Sequence, residues 1–227
     1  EFDLPEGYIQ PSWVKELETA YSDLSDRVLV EGRPGSGKSV GIELFHRSWE
    51  DSEDYRTLRF YLYIPEDADS LEKKRSDPDW FRHQLAAQIY ATFPEAFEED
   101  SSAPVWTGTE DLQRYLDKVA QWADEEDQKV LFIIDGLDHA LRQFGGTSAT
   151  ESAEGTVLEE IGSLDFSEPL GLLMVGREIT EAHSTLRVDN QIEVPPWDEE
   201  EIKEYFDRKN VPVEDGFVEQ LMEVSGG

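Results

Sequence analysis

Apolar positions along this chain follow two alternating patterns. Short, dense runs at Arg27 to Glu31, Thr57 to Ile64, Lys129 to Asp135, Pro169 to Gly176 and Gln191 to Val194 are separated by charged or Gly/Pro-rich segments. Such runs predict five strands, and the uninterrupted ones are expected to be buried on both faces. Between them, apolar residues return every three or four positions, the spacing of amphipathic helices. Ser12 is placed to cap a helix through Tyr21 carrying Trp13 and Leu17, and a helix from Lys38 to Trp49 is expected to turn Val40, Leu44 and Phe45 inward. Trp80, Phe81, Leu85, Ile89 and Phe93 form a stripe over Asp79 to Phe93, and Thr109 is placed to cap a helix from Glu110 to Asp124. Further helices are expected over Thr156 to Leu164, Asp198 to Lys209 and Val213 to Val224. Strands alternating with helices predict an α/β fold, with a mainly parallel sheet of five strands between two helical layers.

The connection after the first strand carries the clearest chemistry. Gly32-Arg33-Pro34-Gly35-Ser36-Gly37-Lys38-Ser39 matches G-x-x-x-x-G-K-[ST], a loop whose backbone N–H groups surround phosphate oxygens. Val40 continues into a helix whose positive dipole end adds to that attraction. Lys38 is placed to reach the β- and γ-phosphates and Ser39 to offer its hydroxyl to Mg²⁺. The apolar strand ending at Asp135 supplies a second metal carboxylate in the manner of a Walker B strand. In Asp135-Gly136-Leu137-Asp138-His139, Asp138 is a candidate for positioning the attacking water, with a structural loop acid or His139 as alternatives. Arg177, at the end of the next apolar strand, either reaches the γ-phosphate or pairs with Glu178 or Glu181. Arg33 offers a phosphate or subunit-bridging contact, although a side chain there more often points to solvent. Lys73-Lys74-Arg75 reads as a solvated face, and Gly145 to Gly155 as a Gly/Ser/Thr-rich loop. The four histidines lack H-E-x-x-H spacing, and no G-x-S-x-G elbow occurs, so zinc-hydrolase and serine-hydrolase readings find no support.

Composition narrows the setting. Fifty-two acidic against 20 basic residues give a net charge of −32, with no cysteine. Absence of cysteine excludes disulfides and fits a cytoplasmic protein. No apolar run reaches the roughly 18 residues of a membrane span. The acidic residues are spread from end to end, and no basic stripe of the nucleic-acid-binding kind interrupts them. This pattern resembles proteins of salt-accumulating organisms such as halophilic archaea. The final Val224-Ser225-Gly226-Gly227 stops within an element, so the sequence reads as part of a longer chain.

The order of phosphate loop, apolar strand ending Asp135-Gly136-Leu137-Asp138, and apolar strand ending Arg177 resembles the STAND class of signal-transduction ATPases. Within the wider AAA+-like group, the NACHT branch is most similar. His139 stands where that family's signature has a glutamate, which places fast hydrolysis in doubt. The resemblance implies a P-loop NTPase αβα sandwich over residues 1–196, with one strand inserted between the phosphate-loop and Walker B strands. A helical lid begins at 197–227, entered through Pro195-Pro196-Trp197-Asp198. Arg177 aligns with the family's sensor arginine, and Tyr8 and Ile9 fall where adenine is held. The resemblance further implies ATP and ADP as ligands with Mg²⁺, an ADP-held resting state, and self-association through the nucleotide face. Sensor and effector domains would lie outside this sequence. Rival functions are a nucleotide-binding scaffold that does not hydrolyse, an AAA+-type motor, and a small-molecule kinase, for which no acceptor-binding lid motif is seen.

The charge makes a direct prediction. At molar salt the Debye length falls to about 3 Å and self-repulsion is screened. The unfolding midpoint should therefore rise steeply between about 0.1 M and about 2 M KCl. A midpoint that stays flat across that range contradicts the reading of a salt-adapted surface.

Overall fold

The computed structural model describes residues 10–21, 27–50, 52, 54–62, 77–98, 108–138, 140, 156–166, 168–177, 182–212 and 216–225. Tyr8, Ile9, the 73–75 cluster, His139, the 145–155 loop, Glu178, Glu181, Gly226 and Gly227 lie outside the described residues. The order is α1 (Ser12–Ala20), β1 (Arg27–Glu31), α2 (Lys38–Glu50), β2 (Tyr55–Tyr61), α3 (Pro78–Thr92), a 3₁₀ turn (Pro94–Phe97), α4 (Thr109–Glu125) and β3 (Lys129–Asp135). It continues with α5 (Val157–Ser163), β4 (Leu170–Gly176), α6 (His183–Leu186), β5 (Asn190–Glu193), α7 (Glu199–Arg208) and α8 (Phe217–Ser225).

The five strands form one sheet in the order β2-β3-β4-β1-β5, and every pairing is parallel. The strand inserted between β1 and β3 is β4, as the family resemblance implied. Alternate residues of each strand serve opposite faces, as the pleat requires. Val28, Val30, Leu131, Ile133, Leu173 and Val175 pack against Trp13, Leu17, Ile42, Phe45 and Trp49 of α1 and α2. Leu29, Phe132, Ile134, Leu172 and Met174 face Phe81, Leu85, Leu116, Val119 and Ile161 of α3, α4 and α5. Full burial of side chains such as Phe45 and Phe132 contributes about 1.5–3 kcal/mol each. Tyr21 closes the first layer by donating its hydroxyl to the Leu172 carbonyl at 2.6 Å.

Several local expectations need correction. The inward face of α2 is Ile42, Phe45 and Trp49, while Val40 and Leu44 are only half-buried. The i, i+3, i+7 stripe is set by where α1 packs, and Val40 sits too near the loop to share it. Ser12 is the first helical residue of α1, and Pro11 holds the cap position without a side-chain bond. Gly108, not Thr109, caps α4. Asp198 does cap α7, in a reciprocal box with Glu201, and Thr156 with Glu159 does the same for α5. Both boxes satisfy backbone donors that the helix itself leaves unpaired. Among the described residues no helix is long and apolar enough to cross a membrane.

Helix α5 approaches α6 so closely that a Cβ on Gly162 would sit 1.9 Å from the Thr185 carbonyl oxygen. Gly162→Ala should therefore lower stability by about 1–3 kcal/mol in denaturant unfolding. Gly108 has open space around a Cβ and extended backbone at φ −177°, so Gly108→Ser should be neutral or stabilising as a better N-cap. Equal effects at the two sites would contradict the packing.

Candidate functional site

Parallel register brings three strand ends level. Glu31 at the end of β1 pairs with Gly176 of β4, and Asp135 of β3 pairs with Val175. In open α/β sheets ligands sit outside this carboxyl edge. The chain leaves β1 through residues 32–37 and enters α2 at Lys38. Gly35 and Gly37 adopt φ of 81° and 83°, a region in which a Cβ is penalised. At Gly32 a Cβ would meet Ser36 Oγ and Val194 Cβ at 3.0 Å each. Arg33 and Pro34 are exposed, which fits the solvent-facing reading of Arg33.

Lys38 lies over this loop. Its ammonium donates to the carbonyls of Gly32 at 2.6 Å and Arg33 at 2.8 Å, and to Ser36 Oγ at 3.4 Å. Burial pulls its pKa below the usual lysine value, while the fields of Asp138 and Asp135 act in the opposite direction. Both carboxylates thus act on the loop lysine from the end of β3. Ser39 is exposed in the first turn of α2.

Asp135 is buried and is held by a residue that the sequence reading passed over. Arg59 of β2 donates from Nη2 to Asp135 Oδ2 at 2.9 Å and from Nη1 to Glu43 Oε2 at 2.7 Å. The same Nη2 lies 3.5 Å from the carbonyl of Ser39. Arg47 joins through Nε to Glu43 Oε1 at 2.8 Å. The guanidinium also stacks 4.6 Å from the Tyr61 ring centre. The available signal was alternation within β2: Leu58, Phe60 and Leu62 are buried on one face, leaving Thr57, Arg59 and Tyr61 on the other. An arginine in the middle of such a run must find counter-charges when the face is covered.

Arg177 follows β4 and pairs through Nε with Asp138 Oδ2 at 3.0 Å. Its described partner is therefore Asp138, across neighbouring strand ends, and the Glu178 and Glu181 alternatives lie outside the described residues. Beneath the loop, buried Glu31 accepts from Gln191 Nε2 at 2.6 Å and lies 3.2 Å from His183 Nε2. This ties β1 to β5 and α6, a link that sequence spacing did not suggest.

A cleft of about 540 Å³ opens beside the loop, lined by Gly32 to Ser36, Val194, Pro196, Trp197, Ile202 and Leu221. One wall is glycine-rich backbone and the other is apolar, a combination suited to a phosphate-bearing ligand with a flat base. A larger hollow, about 840 Å³, lies at the amino end of β2 and β3 among Tyr55, Arg56, Glu95, Lys118 and Trp122, far from these groups.

A glycine loop between the first strand and its helix, with an aspartate ending the strand two places away in a parallel sheet, defines a P-loop nucleoside-triphosphatase site. The NACHT domain model matches residues 26–212, and the chain belongs to that family of P-loop NTPases. Among solved structures it is similar to the ORC2 protein of Aeropyrum pernix in its ADP form. That match has 13% identity and a TM-score of 0.50, covering 95% of this chain and 56% of that one. CDC6P from Pyrobaculum aerophilum matches at 11% identity and a TM-score of 0.49, covering 95% and 55%. This chain thus spans little more than half of each of those proteins, and the likeness is one of fold. No curated protein matches the sequence.

The Arg177–Asp138 pair has one partner half-buried and one buried. A double-mutant cycle with Asp138→Asn and Arg177→Met, followed by denaturant unfolding, should give a coupling of about 0.5–1 kcal/mol. Strict additivity of the two losses contradicts the pairing.

Proposed function

We propose that this chain is the nucleotide core of an ATP-driven switch. Its triphosphate rests on the backbone of residues 32–39, with Lys38 turning from the loop carbonyls to the β- and γ-phosphates. The base occupies the cleft bounded by Val194, Trp197 and Ile202. Ser39 and Asp135 would hold Mg²⁺: a hydroxyl and a carboxylate are the hard oxygen donors that this ion takes beside substrate phosphates. One guanidinium nitrogen of Arg59 touches the Asp135 carboxylate at 2.9 Å and the Ser39 backbone carbonyl at 3.5 Å, so the two residues sit side by side at this edge. Bound there, the metal supplies charge neutralisation at the phosphates.

The observation that carries the reading is the convergence of Lys38, Asp135, Asp138 and Arg177 on one strand edge. Arg177 can leave Asp138 for a γ-phosphate, a dianionic partner with more acceptor oxygens. That exchange supplies a two-state element sensitive to the third phosphate, which a switch requires. Asp138 engaged by Arg177 must first be released before it can meet an attacking water, and this favours slow turnover. Self-association through the nucleotide face, and sensor or effector domains elsewhere in a longer chain, belong to the same proposal. So does a cytoplasmic setting at high salt.

The alternative is a scaffold that binds nucleotide without hydrolysing it, and it is favoured by the same arginine-held Asp138. Single-turnover assays in about 2 M KCl, where screening is complete, separate the two. The switch predicts slow phosphate release that Lys38→Ala abolishes. Bound ATP that stays intact over many hours on the unaltered protein refutes hydrolysis and leaves the scaffold.

A further inference from the structure

Arg59 is the most completely enclosed cation beside the site. Its side chain is only 6% exposed and touches two carboxylates, Glu43 at 2.7 Å and Asp135 at 2.9 Å. It lies on β2, in register with Ile133, two positions before the Tyr61–Asp135 pair. From there it reaches across the end of β3 to the first turn of α2. Asp135 comes from β3 and Ser39 from α2, and no backbone pairing joins those elements directly. One guanidinium nitrogen bonds the Asp135 carboxylate at 2.9 Å and lies 3.5 Å from the Ser39 backbone carbonyl, which fixes the backbone of that first turn relative to the carboxylate.

Charge balance points the same way. Glu43 and Asp135 are buried acids beside a loop suited to a polyanion, in a chain of net charge −32. Unpaired, they would repel the phosphates and each other. Arg59 and Arg47 bring the local sum of the four charges to zero. The planar fork of arginine can hold two carboxylates on separate nitrogens at once, which a lysine ammonium does less well. The Arg59 Nε–H is buried and has no hydrogen-bond acceptor among the described residues. An unsatisfied buried donor costs free energy, so the side chain is held here by its ionic partners and not by a complete hydrogen-bond shell.

We propose that Arg59 is the positioning residue of the metal half-site: it orients Asp135 through one oxygen and holds it at a fixed distance from Ser39. Glu43 is its anchor and Arg47 steadies Glu43. The inference rests on the reading of Ser39 and Asp135 as metal ligands. Groups that orient a ligating carboxylate typically affect metal affinity by about 10–100-fold when removed. The phosphate loop itself, built from residues 32–38, does not depend on Arg59, so metal-free nucleotide binding should be spared.

The test measures affinity for a fluorescent ATP analogue by anisotropy, once with Mg²⁺ and once with EDTA, for the unaltered chain, Arg59→Met and Arg59→Lys. The ratio of the two affinities reports the metal contribution alone. It should fall about tenfold in Arg59→Met, with EDTA affinity within about twofold of the unaltered protein. Arg59→Lys keeps the charge but loses the fork, and should give an intermediate ratio. This variant also decides the matter if Arg59→Met does not fold. An unchanged ratio in a folded variant overturns the inference, as does a parallel loss with and without metal. If the unaltered chain binds the analogue equally in Mg²⁺ and EDTA, the metal reading of Ser39 and Asp135 fails first. Failure of the unaltered chain to bind at all removes the nucleotide reading itself.

Discussion

The parallel register of β3, β4 and β1 is the constraint on which the site depends. Because Asp135 lies beside Val175, and Glu31 beside Gly176, three connections emerge from one edge at the same height. A shift of one residue would turn every side chain of a strand to the opposite face, exchanging Leu131 and Ile133 for Phe132 and Ile134 in the two cores. The packing of both helical layers therefore holds the register, and the register places the phosphate loop, Asp135, Asp138 and Arg177 together. Function rests here on core packing before any side-chain chemistry begins.

Electrostatics sets the second condition. A chain with this excess of acid must bind a polyanion against its own field. The local answer is to gather cations where they are needed: Lys38 over the loop carbonyls, Arg59 between two carboxylates, Arg177 on Asp138. The backbone N–H groups of the loop and the first turn of α2 add fixed positive dipole ends without net charge. Each side-chain cation is paired before any ligand arrives, so a phosphate would exchange partners with the protein instead of meeting bare charge.

Much of this was legible in the residue order. Continuous apolar runs located β3 and β4, and Gly/Pro-rich punctuation located the loop after β1. The helices expected from Thr156 and Asp198 start there, each held by a capping box that only the structure revealed. The motif residues from Gly32 to Ser39 and Asp135 needed only local spacing. What local spacing could not supply was partnership across the sheet. Arg59 pairs with residues 16 and 76 positions away, and His183 of α6 lies against Glu31 at the end of β1. For Arg177 the reading offered a γ-phosphate or the nearby Glu178 and Glu181 as partners; Asp138, its partner in the fold, becomes its neighbour only after β3 and β4 pair. Cap positions at Pro11 and Gly108 were displaced by one residue because serine and threonine also serve as first helical residues. The inward stripe of α2 depended on where α1 came to rest.

The central claim is that the loop of residues 32–39 seats a nucleotide whose third phosphate reaches Lys38 and Arg177. Calorimetric titration of the chain with Mg-ATP and Mg-ADP, in matched high-salt buffer, tests it most directly. The account predicts saturable binding of one nucleotide per chain, with Arg177→Met weakening ATP while leaving ADP unaffected. Absence of saturable binding by either nucleotide, or an equal loss of both in that variant, would contradict it.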